Sequence, residues 1–89
     1  MRFDWDDANR GHVAGHGITP EDVEAVWLDP FRLEGPTYER EGETRQDTIG
    51  RQGERLIFVV YTLRGGRIRP VTARVANRPE RRDYRSAHT

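Results

Sequence analysis

The 89-residue chain contains no cysteine and no lysine. Without cysteine there is no disulfide, no thiolate nucleophile and no zinc–sulfur site, and a reducing cytoplasm is the compartment expected. Long apolar runs are missing too, since none approaches the roughly 20 residues needed to cross a bilayer. The opening, Met1-Arg2-Phe3-Asp4-Trp5-Asp6, lacks the apolar stretch of a signal peptide. A soluble intracellular protein with no membrane contact is therefore expected. Hydrophobic residues are scarce at 34%, no more than the charged ones, and mean hydropathy is −0.93. Nor is there a Gly-rich phosphate loop, a nucleophile elbow or a metal signature, which leaves an ordinary metabolic enzyme without support.

What the chain does have is arginine, unevenly placed. Residues 1–44 carry four arginines against eleven carboxylates, a net −7, and residues 45–89 carry eleven against four, a net +7. Seven of them fall within "RIRPVTARVANRPERRDYR", residues 67–85. Charge asymmetry of this kind points to an anionic partner or to two halves that neutralise each other on folding. Zero net charge and clustered apolar residues argue against disorder. The chain reads as one domain, 1–89, with a thin core.

Local signals divide the chain into elements. "RFDWD" alternates large and polar residues and reads as a short strand. Asp6 then caps a helix running to about Gly15, and Gly17 is placed to end it in a left-handed conformation. "TPEDVEAVWLDP" offers Thr19 as N-cap, Pro20 at the first helical position and Asp22 closing a capping box. "FRLEG" begins an extended segment, "PTYEREGE" reads as a polar loop, and "TRQDTIG" reads as a strand. "RLIFVVYTL", residues 55–63, is continuously apolar and predicts a central strand buried on both faces. "RGG" turns the chain into "RIRPVTARV", where Pro70 requires a bulge or an edge position. Asn77 caps a terminal helix over 78–88. The order β-α-α-β-β-β-α is α+β with a small, mainly antiparallel sheet.

Five stretches in this order resemble the BrnT-type toxins of bacterial type II toxin–antitoxin pairs. They are "FDWD" (3–6), "HVAGHGI" (12–18) with "TPEDVE", "ETRQDTIG" (43–50), "LIFVVYT" (56–62) and "RIRPVTARVANRPERRDY" (67–84). One position departs from the resemblance: the family commonly carries a basic residue just before the His-Gly pair, where this chain has Gly15. The resemblance implies a RelE-like fold and an endoribonuclease that slows translation. It also implies a small antitoxin, often of ribbon-helix-helix type, that covers the toxin and binds operator DNA at their shared promoter.

Metal-free RNA cleavage needs a base for the 2′-hydroxyl, cations for the developing phosphoryl charge and an acid for the leaving 5′-oxygen. Arginine suits the second task through bidentate bonding to phosphate, so no cofactor and no metal are expected. Arg45 of "ETR" and Arg74 of "TAR" are the expected phosphate ligands. The competing role for each is a salt bridge with a carboxylate such as Glu43 or Glu80. His16 is the expected proton-transfer group by residue type, with Glu43 and Glu80 as alternative bases. Strand alternation puts Arg67 and Arg69 on one face and Thr72 and Arg74 on the other, unless a bulge at Pro70 resets the phase. Arg67 and Arg69 are candidate RNA contacts. So are Arg78, Arg81 and Arg82, which with Arg85 form a basic helix face, suited to RNA backbone or to an acidic antitoxin segment, or else simply solvated. Tyr84 either stacks on a base or, the favoured reading, packs inward. Trp5 and Trp27 are assigned to the core. The alternative reading of the whole is a degenerate toxin that binds the antitoxin or nucleic acid without cleaving.

Overall fold

The computed structural model describes residues 2–87. Met1, His88 and Thr89 lie outside, and with His88 goes the last position of the expected terminal helix. Three helices and a four-stranded sheet follow one another as α1 (Asp7–Ala14), α2 (Pro20–Val26), β1 (Leu33–Arg40), β2 (Glu43–Gln52), β3 (Arg55–Arg64), β4 (Arg67–Val75) and α3 (Arg78–Ser86). The sheet is an antiparallel meander in the order β1-β2-β3-β4. The α+β class read from the sequence is the one observed.

Each helix starts at a capping box. Asp6 Oδ1 accepts the Asn9 N–H at 3.1 Å, and Asn9 Oδ1 accepts the Asp6 N–H at 2.8 Å. Thr19 and Asp22 exchange the same pair of bonds at 3.0 Å each, with Pro20 leading α2. Asn77 and Glu80 do so for α3. These bonds satisfy amide groups that the first helical turn leaves without partners. α1 ends as the Ile18 N–H reaches back to the Val13 carbonyl at 3.0 Å across Gly17, whose φ is +74°.

β3 is buried on both faces, as its apolar run requires. Ile57, Val59 and Tyr61 face α1 and α2, in a core with Val13, Ile18, Val23, Val26, Ile68 and Ala73. Phe3, Trp5 and Trp27 pack against that core. On the opposite face Leu56 joins Ile49, Ala76 and Tyr84 of α3, with Leu33 and Phe58 at the margin. α2 lies very close to β2. A Cβ built on Gly50 would stand 2.5 Å from Val26 Cγ1, so only glycine fits there.

Two segments differ in detail from the sequence reading. "RFDWD" is reduced to a parallel bridge between Phe3 and Ile68, held by Asp4 N–H to Ile68 O at 2.8 Å and Ile68 N–H to Arg2 O at 2.9 Å. The polar "PTYER" is strand rather than loop, completing β1. β1 is an edge strand, exposed over most of its length, so it carries no apolar alternation to read.

Pro70 sits where its missing N–H requires. β4 is the other edge of the meander, and its register against β3 shifts between the pairs Val60↔Thr72 and Tyr61↔Pro70, leaving Val71 as the extra residue. That bulge resets the strand's phase. Arg67, Arg69, Thr72 and Arg74, paired with Arg64, Thr62, Val60 and Phe58, therefore all lie on the face that carries α3.

Candidate anion-binding cleft

α1 runs beside β4 at the bulge. Asn9 fixes it there, donating from Nδ2 to the Pro70 carbonyl and to the Asp4 carbonyl, both at 2.9 Å. A proline carbonyl at a bulge has lost its regular ladder position, and Asn9, itself buried, supplies the replacement donor. This contact creates a cleft of about 230 Å³ lined by His12 of α1, Arg45 of β2, Arg64 of β3, and Arg69 and Val71 of β4.

The guanidinium groups of this cleft have donors to spare. Arg45 spends Nε on Glu43 Oε1 at 3.0 Å, the pairing anticipated as its competing role. Arg64 makes no ion pair among the described residues. Arg69 is the most enclosed, its side chain 14% exposed, with Nη2 on Asp6 at 2.9 Å and Nη1 3.7 Å from Asp4. That second distance is too long for a hydrogen bond, and Nη1 is buried without an acceptor. Its charge is balanced by Asp4 and Asp6, so the cleft's more accessible cations are Arg45 and Arg64.

Arg74 lies elsewhere on the same face. It pairs with Phe58 and so with Ile49, whereas Arg45 is four residues further along β2. Strand geometry separates their Cα atoms by about 16 Å, and Arg74 is absent from the lining of the cleft that holds Arg45. Instead Arg74 forms a bidentate pair with Glu80, at 2.7 and 2.9 Å, and its guanidinium carbon lies 4.3 Å from the Phe58 ring centroid. The bond to Glu80 strengthens the charge on Arg74. Burial alone would raise the Glu80 pKa, but the bonds from Arg74 and from the Asn77 N–H outweigh it and hold the carboxyl below its usual value. A carboxylate held in this way serves as a cap and counter-ion and is a poor proton acceptor.

The remaining candidates separate by position. His16 stands in the exposed turn after α1, outside the cleft, and the cleft's imidazole belongs to His12, one helical turn earlier. Glu43 faces Arg45 as counter-ion. Arg67 is exposed at the start of β4, and Arg78 and Arg82 are exposed on α3. Arg81 donates from Nη1 to the Ala76 carbonyl at 2.8 Å, closing the entry to α3. Tyr84 is buried, with its hydroxyl on Asp29 at 2.6 Å, and so packs inward. His12 opens the "HVAGHGI" stretch and Arg64 the "RGG" turn, but neither is singled out there for chemistry. Their spacing to the Val71 bulge, which only folding sets, is what brings them in.

Residues 5–80 match the family model described as ribonuclease toxin, BrnT, of type II toxin-antitoxin system. No curated protein gives a match. The matched span runs from Trp5 through the whole sheet to Glu80 and takes in every residue that lines the cleft. The chain belongs to the BrnT family of ribonuclease toxins of type II toxin–antitoxin systems.

Proposed function

We propose that the protein is a metal-independent endoribonuclease whose scissile phosphate sits in the cleft between α1 and the sheet. The observation that carries this reading is that Arg45, Arg64 and Arg69, from three strands, line one cleft together with His12. Cleavage forms the bond from O2′ to phosphorus and breaks the bond from phosphorus to O5′. The 2′-hydroxyl proton passes to a base and another proton reaches the departing 5′-oxygen. Arg45, Arg64 and Arg69 supply donors to the non-bridging oxygens, where negative charge builds. His12 is the imidazole within the cleft and takes the proton-transfer role, since this side-chain type exchanges protons near neutral pH. Arg67, Arg74, Arg78 and Arg82 serve neighbouring phosphates of the same strand.

In the cell this activity slows translation in the cytoplasm and is silenced by a small antitoxin, of ribbon-helix-helix type, which also holds operator DNA. Expression of the chain alone should arrest growth, and co-expression of the neighbouring small reading frame should restore it. Unimpaired growth on expression of the folded protein would sink the proposal. A second reading, binding without cleavage, is favoured by one feature: Glu43 and Glu80 are both tied to arginines, and among the described residues no carboxylate lines the cleft beside His12. RNA retained in a gel shift but never cut would select that reading.

A further inference from the structure

The turn after α2 displays two large apolar side chains to solvent. Leu28 is 84% exposed and Phe31 58%, in a chain with few hydrophobic residues to spare. The turn is firmly held. The Leu28 N–H donates to Ala25 O at 3.0 Å and the Asp29 N–H to Val26 O at 3.2 Å. The Asp29 carboxylate accepts the Phe31 N–H at 2.8 Å, the Arg51 N–H at 2.8 Å and the Tyr84 hydroxyl at 2.6 Å. Leu28 thus stands as a fixed ridge between two grooves. One, of about 430 Å³, is lined by Phe3, Glu21, Glu24, Ala25 and Trp27. The other, of about 340 Å³, is lined by Ala25, Asp29, Pro30, Arg51 and Gln52. Apolar groups presented on a rigid turn beside an apolar groove mark a contact surface, because little ordering entropy remains to oppose binding.

The charge on the rim selects the occupant. Glu21 is exposed and makes no ion pair among the described residues, and Glu24 accepts from the Trp5 indole at 2.9 Å with no arginine paired to it among those residues. We propose that this surface docks an amphipathic basic segment of a partner protein. An apolar side chain of that segment fills the groove beside Trp27, and flanking arginine or lysine faces Glu21 and Glu24. A second copy of this chain is the poorer occupant, because two-fold pairing would bring the same acidic patch, Glu21 with Glu24, to the interface from both sides. The inference rests on the toxin reading, in that the partner is the antitoxin. It adds that the antitoxin's grip and the RNA cleft have no lining residue in common.

The test is calorimetric titration of the full chain with the purified product of the neighbouring reading frame, for the wild type and for Leu28→Ser and Glu21→Arg. Both positions are exposed, and unchanged melting curves would verify that the variants fold. Each substitution should weaken binding by about tenfold or more while RNA retention in a gel shift stays as in the wild type. Wild-type affinity in both variants, or no binding by the wild type, overturns the inference. So does a wild-type dimer on size exclusion that Leu28→Ser abolishes. Failure of the toxin reading shows separately, as loss of RNA binding and growth arrest in the wild type itself.

Discussion

Tyr84 donates its hydroxyl to Asp29 at 2.6 Å, joining α3 to the turn after α2 across 55 positions of sequence. Asp29 also accepts the amides of Phe31 and Arg51, so one carboxylate ties α2, β2 and α3 together. Tyr84→Phe removes the hydroxyl that donates to Asp29 and should cost about 1 kcal/mol. In a domain of this size that lowers the melting temperature by about 4–8 °C. Asp29→Ala strands several donors at once and should cost about 2–4 kcal/mol. Thermal unfolding followed by circular dichroism measures both, and an Asp29→Ala melt equal to the wild type would show that the carboxylate holds nothing.

Acid should loosen the fold through the same groups. Burial would raise the pKa of Asp29, but the bonds from Tyr84, Arg51 and Phe31 outweigh it and hold the carboxyl below its usual value. Glu80 is held low in the same sense. A carboxyl with a lower pKa folded than unfolded adds stability that is complete above the unfolded value. That stability disappears as pH falls through the folded one. Melting temperature should therefore be level near neutrality and decline below about pH 4.5. Asp29→Asn should flatten that decline. An unchanged acid limb in the variant would contradict the assignment.

Gly50→Ala would set a methyl group against Val26 Cγ1 and the Val26 carbonyl, at 2.5 and 2.9 Å. Backbone cannot retreat as a flexible side chain does, so α2 must lift from the sheet. A loss of about 1–3 kcal/mol is expected, read from urea unfolding. A variant as stable as the wild type would mean that α2 and β2 are further apart than described.

Arg74 and Arg45 should behave differently when truncated. The Arg74–Glu80 pair is partly exposed, so a double-mutant cycle should give a coupling of roughly 0.5–1 kcal/mol. Arg74→Ala additionally loses its contact with the Phe58 ring. Arg45→Ala, beyond its single bond to Glu43, should leave the melting temperature nearly unchanged and act on RNA instead. Its salt slope for binding single-stranded RNA should drop by about 0.7. Equal stability losses at the two positions would show that both arginines are structural.

The sequence exposes those parts of the fold that local chemistry decides. Thr19-Pro20-Asp22 and Asn77-Pro79-Glu80 write their caps into consecutive residues, and the apolar run at 55–63 needs both faces of β3 covered. Pro70 announced its own bulge. The second half of β1 was hidden because an edge strand with wet faces has no pattern distinguishing it from a loop. The cleft was only half legible. Arg45 and Arg69 stood out by composition, but His12 enters it because Asn9 reaches Pro70 across 61 positions. His16, one turn later, lies beyond the end of α1 in an exposed turn. The bulge at Val71 brought Arg74 onto the face of Arg67 and Arg69, where Glu80 of α3 takes up its guanidinium.

Cleavage of a labelled RNA by the purified chain in excess EDTA, wild type against Arg45→Ala, tests the central claim most directly. Chain scission should proceed in EDTA and leave 2′,3′-cyclic ends, and should fall by about a hundredfold or more in the variant while its melting curve is retained. Intact RNA with the wild type, or equal cleavage by both proteins, would contradict an arginine-lined cleft as the site of chemistry.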